Sequence, residues 1–132
     1  MSSIQVADQT FIAAEPALVA GCLGVPSKWR RWWPDLRVAV GEDRAEKGIR
    51  WTVTGSLTGT MEVWLEPVLD GTIVHYFLHA EPAVGDPAKL DLAALNRSAR
   101  LAGKEMTFEA KRELEAGRPA GVAPAAFAAT RD

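Results

Sequence analysis

Apolar and polar residues alternate along the chain from Leu36 to Ala80, and helical spacing takes over from Asp86 to Ala116. Successive side chains on a strand point to opposite faces, so a period of two marks a sheet with one buried face. Leu36, Val38 and Val40 alternate with Arg37 and Ala39, which predicts a strand over Leu36–Val40. Gly41–Lys47 reads as a charged turn. Gly48–Gly55 then sets Ile49, Trp51 and Val53 against Arg50, Thr52 and Thr54. Gly59–Glu66 sets Met61, Val63 and Leu65 against Thr60, Glu62, Trp64 and Glu66. Leu69-Asp70-Gly71 is a tight-turn signal. Beyond it, Thr72–Ala80 sets Val74, Tyr76, Leu78 and Ala80 against Ile73, His75, Phe77 and His79.

Ahead of this series, Ile4–Ile12 is rich in β-formers and free of Pro and Gly, which predicts a first strand. Glu15-Pro16 opens a short helix, because proline's missing N–H costs nothing in a first helical turn. Gly24 ends that helix. Pro26-Ser27 starts a second short helix or turn through Trp32, and Pro34 stops it. Asp86-Pro87 predicts the start of a long helix, with a carboxylate cap and proline in the first turn. Leu92, Leu95, Ala99, Ala102, Met106 and Ala110 recur along it at helical steps. Run to Ala116, it would be about 45 Å long at ~1.5 Å per residue. Gly103 and the small residues around it suit a helix lying close against a sheet. Gly117-Arg118-Pro119 terminates it, giving a domain over residues 1–117 and an Ala/Pro/Gly-rich tail, 118–132, that reads as disordered.

An antiparallel sheet must bury one face, and the long helix is the only sizeable partner for it, so the fold class is α+β. The chain has 132 residues, 48% of them hydrophobic, enough for one domain with a real core. A net charge of −2, with both signs scattered, argues against nucleic acid as the main partner. Cys22 stands alone, which excludes an internal disulfide and a multi-cysteine metal site and suggests a buried structural thiol. Met1–Val6 has no basic region leading into an apolar run, and no stretch is long enough to span a bilayer. The expectation is a soluble cytoplasmic protein without a cofactor.

Three of the five tryptophans crowd into Trp29-Arg30-Arg31-Trp32-Trp33-Pro34-Asp35. Large rings at a helix-to-strand corner plug one end of a core or roof a pocket. This WRRWWPDL run resembles the "W…WWPD" corner of the START-like superfamily, within it the bacterial polyketide cyclase/dehydrase and lipid-transport group. Glu15-Pro16 resembles the family's first helix start, and Leu65-Glu66-Pro67 with Asp70-Gly71-Thr72 resembles its "LEP…DGT" hairpin. The resemblance covers Ile4 to about Gly117. It implies a helix-grip fold, a curved antiparallel sheet around one long C-terminal helix, with a cavity between them for a hydrophobic or aromatic molecule. The family has two more strands between the corner and the last hairpin than this sequence has room for, so a shorter sheet and a smaller or more open cavity are expected.

Carried onto this sequence, the inward set is Trp51, Val53, Met61, Val63, Leu65, Val74, Tyr76 and Leu78 from the strands, with Trp33 from the corner. Leu95, Ala99, Ala102 and Met106 face them from the helix. Either these residues line an apolar cavity or they fill a solid core. Tyr76 is the inward polar group, either orienting a ligand carbonyl or acting as a weak general acid, or else simply bonded to backbone. Arg30 and Arg31 are placed to meet a carboxylate at a pocket mouth or to lie solvated. His75 and His79 lie about 13 Å apart on a strand at ~3.3 Å per residue, so no metal site is expected. With Trp64 and Phe77 they make an aromatic outer face, which suggests a homodimer through the convex sheet unless the two faces are inverted. Three functions stay open: a small-molecule carrier, a cyclase/dehydrase-type enzyme, and an interaction module working through that aromatic face.

Overall fold

The computed structural model describes residues 2–83, 85–86 and 89–116. Five antiparallel strands, β1 (Ile4–Ile12), β2 (Leu36–Asp43), β3 (Gly48–Gly55), β4 (Leu57–Val68) and β5 (Gly71–Pro82), form one open sheet in the order β1-β5-β4-β3-β2. Helices α1 (Pro16–Leu23) and α2 (Pro26–Trp32) follow β1, and α3 (Leu92–Glu115) closes the described chain. α3 runs mainly along β1 and reaches β5 less. The expected α+β helix-grip arrangement is therefore present, with a short sheet.

The strand faces follow the alternation. Trp51, Val53, Met61, Val63, Leu65, Val74, Tyr76 and Leu78 are all buried on the concave side. Their opposite numbers share a face because the ladders pair Trp51 with Met61, Met61 with Leu78, and Val63 with Tyr76. Trp64, by contrast, is 44% exposed on the convex side.

Two expectations need correction. The strand predicted over Leu36–Val40 continues to Asp43, past a bulge between Val40 and Glu42, so the first three residues of the predicted turn are strand. The bulge lets the pairing survive Gly41, because an extra residue can be accommodated without losing the ladder. The long helix begins at Leu92 rather than Asp86. Asp91 caps it, its carboxylate accepting from the Ala94 amide at 3.0 Å. Asp86-Pro87 is as good a local start signal, but the apolar helical face that packing rewards begins only at Leu92. With 24 residues, α3 is about 36 Å long at ~1.5 Å per residue. Pro87 and the predicted tail lie outside the described residues.

A charge cluster ties the three helices together. The Lys28 ammonium on α2 donates to Glu113 of α3 at 3.1 Å and to the Cys22 carbonyl of α1 at 3.2 Å. The Cys22 thiol donates to the same Glu113 oxygen at 3.1 Å. Burial, reinforced by that bond to a carboxylate, pushes the Cys22 thiol up to about 11, so it is inert as a nucleophile. Its hydrogen bonds from Cys22 and Lys28 hold the Glu113 carboxyl below the usual carboxylate range.

Candidate functional site

The corner after α2 is a set of touching rings. Trp29 meets Trp51 edge-on at 5.5 Å, Trp51 meets Trp33 at 5.8 Å, and Trp33 meets Trp32 at 5.8 Å. Trp33 also stacks nearly parallel to Tyr76, at 6.5 Å and 9°. The sequence produces this corner because Pro34 prevents α2 from continuing, and the Trp33 amide bonds back to the Trp29 carbonyl at 2.9 Å. The chain then enters β2, held against the next hairpin by the Ser56 hydroxyl, which donates to the Asp35 carboxylate at 2.7 Å. Gly55, at φ +110°, permits that approach; a Cβ there would lie 2.6 Å from the Asp35 carbonyl oxygen.

Above the corner, α3 is seated unevenly. Gly103 rests on the Tyr76 ring: a Cβ there would lie 2.5 Å from Cε2. From Gly103 onward, Met106, Thr107 and Ala110 are buried. Before it, Leu95, Ala99 and Ala102 are only partly covered. The space left beneath this first half is a cleft of about 340 Å³. Trp32, Trp33 and Tyr76 form its aromatic side, Leu78 and Leu57 lie on the sheet, and Leu95, Ala99 and Ala102 come from the helix. Asp35, Ser56 and Ser98 supply the polar groups around it.

Three buried indole N–H groups, on Trp32, Trp33 and Trp51, make no hydrogen bond of normal geometry, although the Glu109 carboxylate lies near the Trp32 N–H and the Tyr76 hydroxyl near that of Trp33, and two of those rings line the cleft. The Trp29 N–H differs: it donates to the Leu23 carbonyl at 2.7 Å. A buried donor without an acceptor costs about 1–3 kcal/mol. The Tyr76 hydroxyl has only a soft acceptor, the Met61 sulfur at 3.3 Å. Burial pushes the Tyr76 phenol well above its ordinary value, opposed slightly by the nearby Trp33 indole, so it stays a neutral donor.

Of the residues expected inward, Trp33, Tyr76, Leu78, Leu95, Ala99 and Ala102 meet at this cleft. Trp51, Val53, Met61, Val63, Leu65, Val74 and Met106 lie instead within the packed core. The two alternatives, cavity and solid core, thus describe different halves of one interior. Trp32 joins the cleft as one of the corner rings, and Pro34, Asp35, Leu36, Ser56, Leu57 and Ser98 join it without having been expected there. Ser98 was open to sequence reasoning, since it shares a helical face with Leu95 and Ala102. Arg31 does not reach for a ligand: its guanidinium pairs with Glu109 of α3 and lies over the Trp32 ring. Arg30 lines a separate groove beside β2.

On the convex face, Trp64 stacks on His75 at 4.5 Å, and His75 on Phe77 at 6.4 Å. The His75 Nε2 lies 2.9 Å from a Glu66 oxygen. Trp64 stays 44% exposed, while Phe77 and His79 border a shallow depression with Arg50, Thr60 and Glu62. Among the described residues no three His, Cys, Asp or Glu side chains gather as a metal site would need, and no helix is long and apolar enough to cross a membrane.

No protein-family profile matches the chain, and no curated protein matches it in sequence. Solved structures do match. The Aha1 dimer from Colwellia psychrerythraea aligns over 88% of this chain and 99% of its own, at 16% identity and a TM-score of 0.61. A polyketide-cyclase-like protein from Corynebacterium glutamicum aligns over 86% of this chain and 91% of its own, at 16% identity and a TM-score of 0.59. A START superfamily protein from Mycobacterium smegmatis aligns over 80% and 92%, at 12% identity and a TM-score of 0.59. At such identities the likeness speaks for architecture, and with the sheet, the corner and the single long helix in place, this chain has the START-like, helix-grip fold.

Proposed function

We propose that the protein binds a small, flat hydrophobic or aromatic molecule in the cleft under the first half of α3, with an oxygen of that molecule accepting from the Trp33 indole N–H. The observation that carries this reading is the pair of indole donors without a hydrogen bond of normal geometry, on rings that line a mostly apolar cleft. An apolar wall with a few convergent polar groups is the usual make-up of a small-molecule site. An acceptor oxygen would satisfy the Trp33 donor once the ring tips to bring its covered N–H to the cleft wall, and Tyr76, kept neutral by burial, can exchange its soft Met61 acceptor for a second such oxygen. A lipid- or polyketide-like ketone or phenol fits this chemistry, in keeping with a fold shared with a polyketide-cyclase-like protein.

Binding without chemistry is favoured over an enzymatic reading by the polar groups themselves. Asp35 is engaged by Ser56, and Tyr76 is pushed away from the pKa range where a general acid or base works best. A fluorescence titration with a hydroxylated anthraquinone tests the proposal. Saturable quenching is expected for the wild type, and Trp33→Phe, which keeps a ring but removes the donor, should weaken binding about 2- to 10-fold, the worth of one hydrogen bond. Saturable binding that is indifferent to Trp33→Phe would remove the indole from the proposal. Tyr76→Phe separates the alternatives: a carrier keeps most of its affinity, whereas a cyclase/dehydrase-type enzyme would lose turnover while still binding.

A further inference from the structure

The sheet ends at β2, and among the described residues no strand pairs with its outer side. An unpaired edge leaves a row of backbone donors and acceptors ready for another strand. Here the edge is also apolar on the concave side: Val40 is 50% exposed, and Leu36 and Val38 are only partly covered. A groove of about 270 Å³, bounded by Pro26, Trp29, Arg30, Leu36, Arg37 and Val38, runs beside it.

We propose that β2 pairs antiparallel with β2 of a second copy of this chain, joining the two sheets edge to edge. The strand's own pattern supplies the register. A two-fold axis through the pair sets Ala39 opposite Ala39. Val38 then lies opposite Val40 of the second copy, and the same contact recurs on the other side of the axis. Both valines belong to the concave face, since Val38 pairs with buried Val53 and Val40 with buried Trp51 within each sheet.

The next position decides the matter. Without the bulge, Arg37 would meet Gly41. Gly41 bulges out of the β2–β3 ladder, which jumps from Val40 to Glu42; the proposed pairing carries the same jump to the outer edge, so that Arg37 meets Glu42 instead. Arg37 pairs with Thr54 and Glu42 with Arg50 in the sheet, which puts both on the convex face. Arg37 has no carboxylate partner among the described residues, and Glu42, although paired with Arg44 of its own chain at 3.2 Å, keeps its side chain 55% exposed and able to accept a second guanidinium. Two symmetric Arg–Glu contacts would therefore flank the alanine pair outside, and two Val–Val contacts would line the concave side at the open end of the groove. Opposite charges facing each other across strands favour this register over its neighbours. The bulge, which on many edges blocks pairing, here brings the acidic residue into line.

Sedimentation velocity over a concentration series tests this. The wild type is expected to show a monomer–dimer equilibrium. Arg37→Glu and Glu42→Arg should each weaken it roughly tenfold by setting like charges opposite one another, and the double variant Arg37→Glu/Glu42→Arg should restore it. Ala39→Lys, exposed and on the axis, should abolish it, with circular dichroism melts confirming that each variant is folded. A wild type that stays monomeric at its highest soluble concentration overturns the proposal. So do single reversals without effect, a double variant that is not rescued, or a dimer lost on Trp64→Ala, which would move the interface to the convex ring stack.

Discussion

The two halves of α3 have opposite fates, and the half that stands off is the one richer in small residues. From Gly103 to Ala110 the helix is pressed onto the sheet, with Met106 fully buried. From Leu92 to Ala102 it stands off and leaves the cleft. The pivot is Gly103 on the Tyr76 ring: the helix touches down there because nothing projects from its backbone. Beyond that point it is fastened from several directions. Lys104 pairs with Asp8 at 2.8 Å, Lys111 donates to the Phe11 carbonyl, and Glu113 joins the Cys22–Lys28 cluster. Before it, the described cross-element hydrogen bonds are those of Asn96, to the Gln5 amide and the Ser3 carbonyl at the edge strand. Small residues alone do not close an interface. Closure needs a flat surface beneath and anchors on both sides, and a stretch that lacks them is free to serve a ligand.

The largest expected contrast lies between two truncations on the same helix. Met106→Ala should cost about 2–5 kcal/mol, the usual range for emptying a packed core position. Leu95→Ala, at the half-covered cleft, should cost less than about 1 kcal/mol. Chemical denaturation of the two variants measures both, and equal costs would erase the distinction between the halves.

Gly103→Ala is the next sharpest test, because two effects oppose each other. Alanine is favoured over glycine by about 1 kcal/mol in a helix interior. The added methyl, however, meets the Tyr76 ring at 2.5 Å, and overpacking costs about 1–3 kcal/mol. A net loss of stability is expected, and a gain would mean that the helix is not seated on Tyr76.

A smaller effect tests the pin at the closed end. The Cys22 thiol is raised from 9.0 to about 11. Below the lower value it is neutral in both the folded and the unfolded chain, and its contribution is fully present. Above it, the unfolded chain ionises first, so stability drains away as pH rises toward the folded value. Denaturation curves between these two pH values should fall by roughly 1–2 kcal/mol more for the wild type than for Cys22→Ala. Matching slopes would place the thiol outside the buried cluster. At the open end, Ala99→Trp should change stability little and abolish anthraquinone binding by filling the cleft. Undiminished binding in that variant would put the ligand elsewhere.

Much of this architecture is legible in the residues. Strict alternation assigned the buried faces of β3, β4 and β5, because a period of two leaves no freedom once one face is apolar. Prolines marked both short helices, since a ring without an N–H suits a first turn. The start of α3 was not legible: Asp86 and Asp91 are equally good caps, and only packing chooses between them. The site was half legible. Parity says that Trp51, Met61 and Tyr76 all point inward, but not which of them faces a void. That depends on the height of α3 above the sheet, which Gly103 sets through a contact far away in sequence. Asp35 and Ser56 were missed because they meet only after a hairpin folds back, whereas Ser98 could have been found from helical spacing.

The most direct test uses the indole N–H signals of the five tryptophans, read by NMR during titration with a hydroxylated anthraquinone. The expected result is a large shift of the Trp33 signal, a smaller one for Trp32, and none for Trp29, whose N–H is already bonded to Leu23. Shifts at Trp29 or Trp64 with Trp33 unmoved would contradict the cleft as the binding site.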